Sequence, residues 1–304
     1  MESPVLLITF NRPETTRIVL DVLRTARIKT LYIFNDGPRP GNSADLTARR
    51  KIEEYVTSID WECKTKIYFS ETNLGCGIGV SSAISWAFLN EDRLIILEDD
   101  CVPVSSFFHY CDYLLEKFKD DTRVCMISGN NYSNEFNATD ESYFFSIYGH
   151  IWGWATWKRV WNKYDYFMND WPQFRDSGQL NHVFIRRNER KYMKKLFDGI
   201  YKMDNKGTWD YQWFFCRIKE YGLSIIPQSN LVSNIGVEGI HTNSKTNAHF
   251  YPANDKYSIS KEPLFILCNE FYDRNHFKKI INQQISFSIN INKFWQRLRK
   301  KTNF

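Results

Sequence analysis

Several absences narrow this chain of 304 residues first. No window approaches the roughly 18 consecutive apolar residues that a membrane-spanning helix needs. The opening "MESPVLLITFNRP" carries no basic leader, and its apolar run is too short for the core of a secretory signal, so a protein kept in the cytoplasm is expected. The seven cysteines are odd in number, irregularly spaced and without a CxxC pair. That excludes an obvious disulfide framework or zinc knuckle and fits reduced thiols. No internal repeat and no low-complexity linker divides the chain.

Charge of one sign is also missing. The 40 basic and 35 acidic residues leave a net charge of +5, too small a surplus to imply nucleic acid. The exception is local: from Arg274 to Lys301 there are basic residues and no Asp or Glu. What is present is apolar and aromatic residue, 43% hydrophobic and 16% Phe, Tyr and Trp, enough for a substantial core.

The first third alternates in period. Apolar runs Pro4 to Phe10, "TLYIFND", "KIYFS", "RLIIL" and "RVCMIS" read as strands. Helical stretches at Glu14 to Arg24, Leu46 to Tyr55, Val80 to Leu89 and Phe107 to Phe118 separate them. Strands spaced by helices predict an α/β fold with a mostly parallel, Rossmann-like sheet covered on both faces. Ligands of such sheets sit at the carboxyl ends of strands. Those ends read "TFNR", "NDGP", "ETNLGCG" and "EDDCVP", so polar residues gather on one edge.

The last is the most telling. Glu98, Asp99 and Asp100 follow a core strand without a break, and adjacent carboxylates repel. A hard divalent cation such as Mg²⁺, which takes one or two carboxylates plus substrate phosphates, would cancel that repulsion. The plain alternative is an acidic turn leading into a helix at Ser105 and Ser106. In "NDGP", Asp36 can accept from the ring N–H of a base, or simply make an Asp-Gly turn. Gly75, Gly77 and Gly79 give GxGxG, not the GxGxxG of dinucleotide binders, which argues against NAD.

Taken in order, "LLITFNRPE", "FNDGPR", "NLGCGIG", "ILEDDCVP", "WGWATWKRVW" and "WDYQWF" resemble the nucleotide-sugar-dependent glycosyltransferases of the GT-A fold, over Pro4 to about Asn243. The resemblance is to family 2-like enzymes, and the EDD variant resembles that of N-acetylglucosaminyltransferases. It implies that residues 1–128 form the nucleotide-sugar-binding half of a single domain, 129–262 the acceptor-binding and catalytic half, and 263–304 a basic helical tail. It also implies that Asp36, with Gly37, contacts the nucleobase and that Arg12 lies beside it. Thr9, Asn11, Asn73 and Gly75 would line the nucleotide pocket. Glu98 and Asp99 would approach the ribose or sugar, and Asp100 would bind the Mn²⁺ or Mg²⁺ that bridges the diphosphate. The donor implied is a UDP-sugar, and the acceptor a glycan or lipid-linked hydroxyl, in a setting such as bacterial surface-polysaccharide synthesis.

The same resemblance puts an inverting base at Asp210, with Glu238 in reserve and His241 as a possible metal ligand. Local physics alone has Asp210 complementing a helix dipole from a start at Gly207 or Thr208. Trp154, Trp157 and Trp161 fall at helical spacing and are expected to pack in the core. Trp152, just before them, is the expected sugar contact. The basic segment Phe184 to Lys195 reads as a solvated helix face. The basic tail with Phe294 and Trp295 suggests anionic lipid at the inner membrane face, or packing on the domain or on another subunit. Sugar-phosphate nucleotidyltransfer is the nearest rival activity, but "ITFNRPETT" has no glycine to cradle a triphosphate. A non-catalytic sugar-binding protein is the rival of another class.

Overall fold

A computed structural model describes residues 2–132, 139–204, 206–236 and 252–278. Strand β1 (Val5–Thr9) is buried along its whole length, and the turn after it gives α1 (Pro13–Thr25). Proline at the first helical position is pre-set for that start, and Thr16, Val19, Leu20 and Leu23 form the buried stripe. Next come β2 (Thr30–Asn35), α2 (Ser43–Thr57), β3 (Lys64–Phe69), α3 (Gly75–Ala87) and β4 (Arg93–Glu98). The Asn42 side chain caps α2 by accepting from the Ala44 and Asp45 amides.

Strands β1 to β4 pair in parallel, in the order β3-β2-β1-β4. The chain therefore builds outward from β1 on one side and then returns to place β4 on the other. That reversal opens a crevice at the carboxyl ends of β1 and β4, the place where such sheets take ligands.

After the short β5 (Cys101–Pro103) and α4 (Ser105–Lys117), the sheet continues with β6 (Val124–Ser128), β7 (Tyr143–Ser146) and β8 (Trp154–Trp157). Helices α5 (Lys158–Trp161), α6 (Trp171–Asp176), α7 (Leu180–Val183), α8 (Arg187–Tyr201) and α9 (Asp210–Lys219) follow, then β9 (Leu223–Pro227), β10 (Val232–Asn234) and α10 (Glu270–His276). The eight-stranded sheet runs β3-β2-β1-β4-β8-β6-β9-β7, and β8 is antiparallel to both its neighbours. Strands β10 and β5 form a separate antiparallel ribbon. The main core lies between this sheet and its helices, while a second apolar cluster including Trp171, Phe197 and Phe215 sits beneath α6, α8 and α9.

The structure corrects two local expectations. Trp154 and Trp157 are in a strand, and only Trp161 is helical; all three are buried as expected. A strand buried on both faces shows no polar alternation, so its tryptophans mimic a helical period. Helix α3 begins at Gly75, five residues before the expected Val80, for a reason that lies on another strand. Helix α8 does present a solvated basic face, with Arg187, Lys191, Lys194 and Lys195 exposed and Met193, Phe197 and Ile200 buried. Among the described residues no helix is long and apolar enough to cross a membrane.

Candidate functional site

At the end of β2, the Asp36 carboxylate has four donors on its two oxygens. One oxygen accepts from the Gly37 amide at 2.8 Å and the Leu74 amide at 2.9 Å; the other accepts from the Gly75 amide at 3.0 Å and Asn73 Nδ2 at 3.1 Å. These bonds fill all four lone-pair sites of a carboxylate. They also satisfy amides at the start of α3 from outside the helix, which is why α3 can begin on a glycine-rich run. Gly75 supplies the left-handed backbone there, at φ +74°. Gly37 is required by closeness: a Cβ at this position would lie 2.3 Å from the Thr72 carbonyl carbon. Burial pushes the Asp36 pKa up, opposed by the three backbone donors.

Asp36, Gly37, Asn73 and Gly75 are thus brought together, but as a clamp. A base N–H reaching Asp36 in this arrangement has no lone pair to meet. Thr9 is occupied in the same way: its hydroxyl donates to the Phe34 carbonyl at 3.1 Å and accepts from Asn35 Nδ2 at 2.9 Å, fully inside the fold. Asn35 Oδ1, by contrast, is buried with no partner at this strand end. Asn11 lies nearer the crevice and gives its amide N–H to Asp45 at 2.8 Å. Asp45 is a residue that sequence reasoning missed; Arg39 holds it from the side chain and the backbone.

At the end of β4 the balance is different. Arg12, expected beside the base, instead points its guanidinium at Asp100, 2.5 Å away, and at Asp99, 3.4 Å away. The Phe10 amide also donates to Asp99 at 3.3 Å. One guanidinium faces three consecutive carboxylates. Burial pushes Asp99 up to about 7, with Arg12 opposing and Asp100 adding. Glu98 is likewise raised, first by burial, then by Asp100, Asp99 and Asp210, with Arg12 opposing. This strand end holds more negative charge than its surroundings neutralise.

Asp210 enters the same field from α9. It is the first residue of that helix, two positions later than expected from Thr208, and Thr208 Oγ1 donates to its carboxylate. Gly77 brings the two helix starts together, since a Cβ there would lie 3.0 Å from the Thr208 carbonyl oxygen and 2.8 Å from the Tyr166 hydroxyl. Two buried atoms near this junction, the Tyr166 hydroxyl and Gln212 Oε1, have no hydrogen-bond partner. Buried polar atoms in that condition call for a water or a ligand.

Trp152 is half-buried, and its neighbour Gly153 packs against Leu97 at the end of β4. The register Ile96↔Trp154 carries Trp152 to the level of the acids, with the Tyr132 ring 5.2 Å away. Asn234 Nδ2 donates to Asp100 at 3.3 Å, and Gly236 lies against the same carboxylate, where a Cβ would fall 2.2 Å from its oxygen and push the side chain aside. Glu238 and His241 follow shortly in sequence and lie outside the described residues.

The oxygen donors suit a hard divalent cation. Among the described residues, however, no three His, Cys, Asp or Glu side chains form a cage for one. The fit is to an ion that takes one or two carboxylates, Asp100 first, and completes its shell from phosphate and water.

Fold and site together define a mixed α/β protein with a mostly parallel, Rossmann-like sheet and an acidic crevice at its strand ends. No protein-family model matches the chain, and no curated protein does. Solved structures overlap it weakly. UDP-glucose pyrophosphorylase complexed with UDP-glucose is 10% identical, covering 54% of this chain and 79% of its own, with a TM-score of 0.32. HddC from Yersinia pseudotuberculosis is 12% identical over 54% and 80%, at 0.32. The 4-diphosphocytidyl-2C-methyl-D-erythritol synthase from Anaerococcus prevotii is 9% identical over 57% and 83%, at 0.35. Overlap at this level carries no information about reaction or substrate.

Proposed function

We propose that this protein is a GT-A glycosyltransferase that moves a sugar from a nucleoside diphosphate sugar, with UDP as the nucleotide, to an acceptor hydroxyl with inversion. The observation that supports it is the surplus of carboxylates where β1 and β4 part, faced by a further carboxylate at the start of α9. Raised pKa values from burial and like charge are characteristic of sites that bind a cation or move a proton. A sugar-stacking role for Trp152 is part of the same reading.

In this reading Asp100 would hold Mn²⁺ or Mg²⁺, and the ion would supply positive charge to offset that of a diphosphate leaving group. Arg12 keeps Asp99 and Asp100 from separating. Asp210 takes the proton from the acceptor hydroxyl, and the Thr208 hydroxyl orients its carboxylate. Asp210 stands at the start of α9, where a carboxylate complements the helix dipole. The clamp at Asp36 fixes the floor of the nucleotide pocket instead of reading the base.

The test is product analysis with purified protein, UDP-sugars and Mn²⁺. UDP release is expected, and Asp210→Asn should lower kcat by about 10²- to 10⁴-fold while donor affinity is kept. Full activity in Asp210→Asn would overturn the base assignment. Pyrophosphate formed from UTP and a sugar 1-phosphate would replace the whole reading with nucleotidyltransfer.

A further inference from the structure

Arg12 already sits on the carboxylate to which the preceding section assigns a cation, and the local chain fixes which part of it can move. Its carbonyl accepts from the Thr16 amide at 3.0 Å and from the Thr16 and Thr15 hydroxyls at 2.7 and 3.2 Å, which seats the backbone at the start of α1. The side chain is less confined, 33% exposed against 9% for Asp99 and 15% for Asp100. Arg12 can therefore change partners at its guanidinium while the turn into α1 stays in place.

Both oxygens of Asp100 are met. Arg12 Nη1 donates to Oδ2 at 2.5 Å, and Asn234 Nδ2 makes a longer bond to Oδ1 at 3.3 Å. Backbone crowds Oδ2 as well, since a Cβ at Gly236 would fall 2.2 Å from it. A divalent cation lies about 2.1 Å from its oxygen ligand, so an ion sharing Oδ2 with the guanidinium would be no more than about 4.6 Å from Nη1. Two positive centres at that distance repel. The guanidinium has another acid to keep, because the same Nη1 lies 3.4 Å from Asp99 Oδ1.

We infer that Arg12 is a resident counter-cation that competes with the divalent ion for Asp100, so that the crevice takes the ion weakly by itself and firmly only together with a nucleoside diphosphate. The inference rests on the metal site proposed at Asp100. A diphosphate adds the negative charge that lets both cations stand in one crevice. Arg12 is then a positioning residue, and its charge, more than its shape, sets the order in which ligands are taken.

The electron paramagnetic resonance signal of unbound Mn²⁺, titrated with the full chain, tests it. Without nucleotide the wild type should bind Mn²⁺ weakly. Arg12→Gln and Arg12→Met should each bind it about 5- to 150-fold more tightly, the usual range of coupling between two sites. Arg12→Lys, which keeps the charge, should stay near the wild type. Adding UDP should raise the Mn²⁺ affinity of the wild type more than that of either neutral variant, and Asp100→Asn in the Arg12→Gln background should remove the gain. Equal affinity for Mn²⁺ alone in the wild type and both neutral variants, with Mn²⁺ still bound in the presence of UDP, overturns the competition and leaves the metal site standing. A wild type that binds Mn²⁺ as tightly without UDP as with it overturns the competition with no substitution needed. So does a gain that survives Asp100→Asn, since the ion would then lie elsewhere. If none of these proteins binds Mn²⁺ with or without UDP, the metal site fails and the competition fails with it.

Discussion

Two strand ends, two sheet positions apart, treat their acids in opposite ways. At the end of β2 the Asp36 carboxylate receives four donors and is buried as a finished part of the framework. At the end of β4, three carboxylates share one guanidinium, and at least two of them hold their protons more tightly than usual. A lone acid with its donors stabilises the fold, whereas a cluster of like charges costs stability and is characteristic of sites that bind a cation or move a proton. Acid at a strand end is therefore a weak sign of function until its partners are counted.

The comparison breaks most readily at Asp100. Asp100→Asn should reduce transfer by about 10²-fold or more, the usual loss on removing one positioned electrostatic group. Its thermal unfolding should stay near that of the wild type, because the change relieves like-charge repulsion. Equal loss of stability and activity would make the β4 end another structural clamp.

Stability measurements in denaturant sharpen the contrast. Asp36→Ala takes the carboxylate from three backbone amides and leaves Asn73 Nδ2 only the Gly37 carbonyl, an expected loss of about 1–3 kcal/mol. Asp99→Asn should be near neutral or stabilising, as substitutions at strained functional sites often are. Gly37→Ala, which drives a methyl group into the Thr72 backbone, should cost about 1–3 kcal/mol. Were Gly37→Ala harmless, the close approach that seats the clamp would be wrong.

The smallest effect concerns Asp45. Hydrogen bonds from Arg39, ahead of opposing burial and with Asn11 adding, hold its carboxyl well below the usual carboxylate range. A folded pKa below the unfolded value of about 3.9 gives stability that is present above that pH and lost as the pH falls through the folded value. Asp45→Asn should therefore lower stability near neutrality, leave it nearly unchanged at the acid end, and so flatten the acid limb of a stability-against-pH curve. An unaltered acid limb would show that this pair contributes nothing.

Much of the fold was legible because it rests on local pattern. The strands to β4 and the helices between them follow from apolar runs and period. The start of α3 was not legible, since its cap is Asp36, which lies 38 residues from Leu74. Nor was the partner of Arg12, 88 residues away at Asp100. For the site, sequence placed Glu98, Asp99, Asp100 and Asp210 as candidates, and the structure gathers them into one electrostatic neighbourhood. It could not separate these from Asp36 and Thr9, whose side chains are occupied within the fold, because hydrogen-bond partners brought by tertiary packing leave no mark on spacing.

The most direct test of the central claim, that the β4 acids are completed by a donor nucleotide and its metal, is a thermal-shift titration with UDP, GDP, CMP and NAD, each with and without Mn²⁺. Ligand that binds only the folded state stabilises it by about 2.7 kcal/mol at a hundredfold excess over Kd. The prediction is a Mn²⁺-dependent shift with UDP that Asp100→Asn abolishes and that the other nucleotides do not reproduce. A shift indifferent to metal and to Asp100, or none with any nucleotide, would contradict it and leave the acidic strand end as a structural turn.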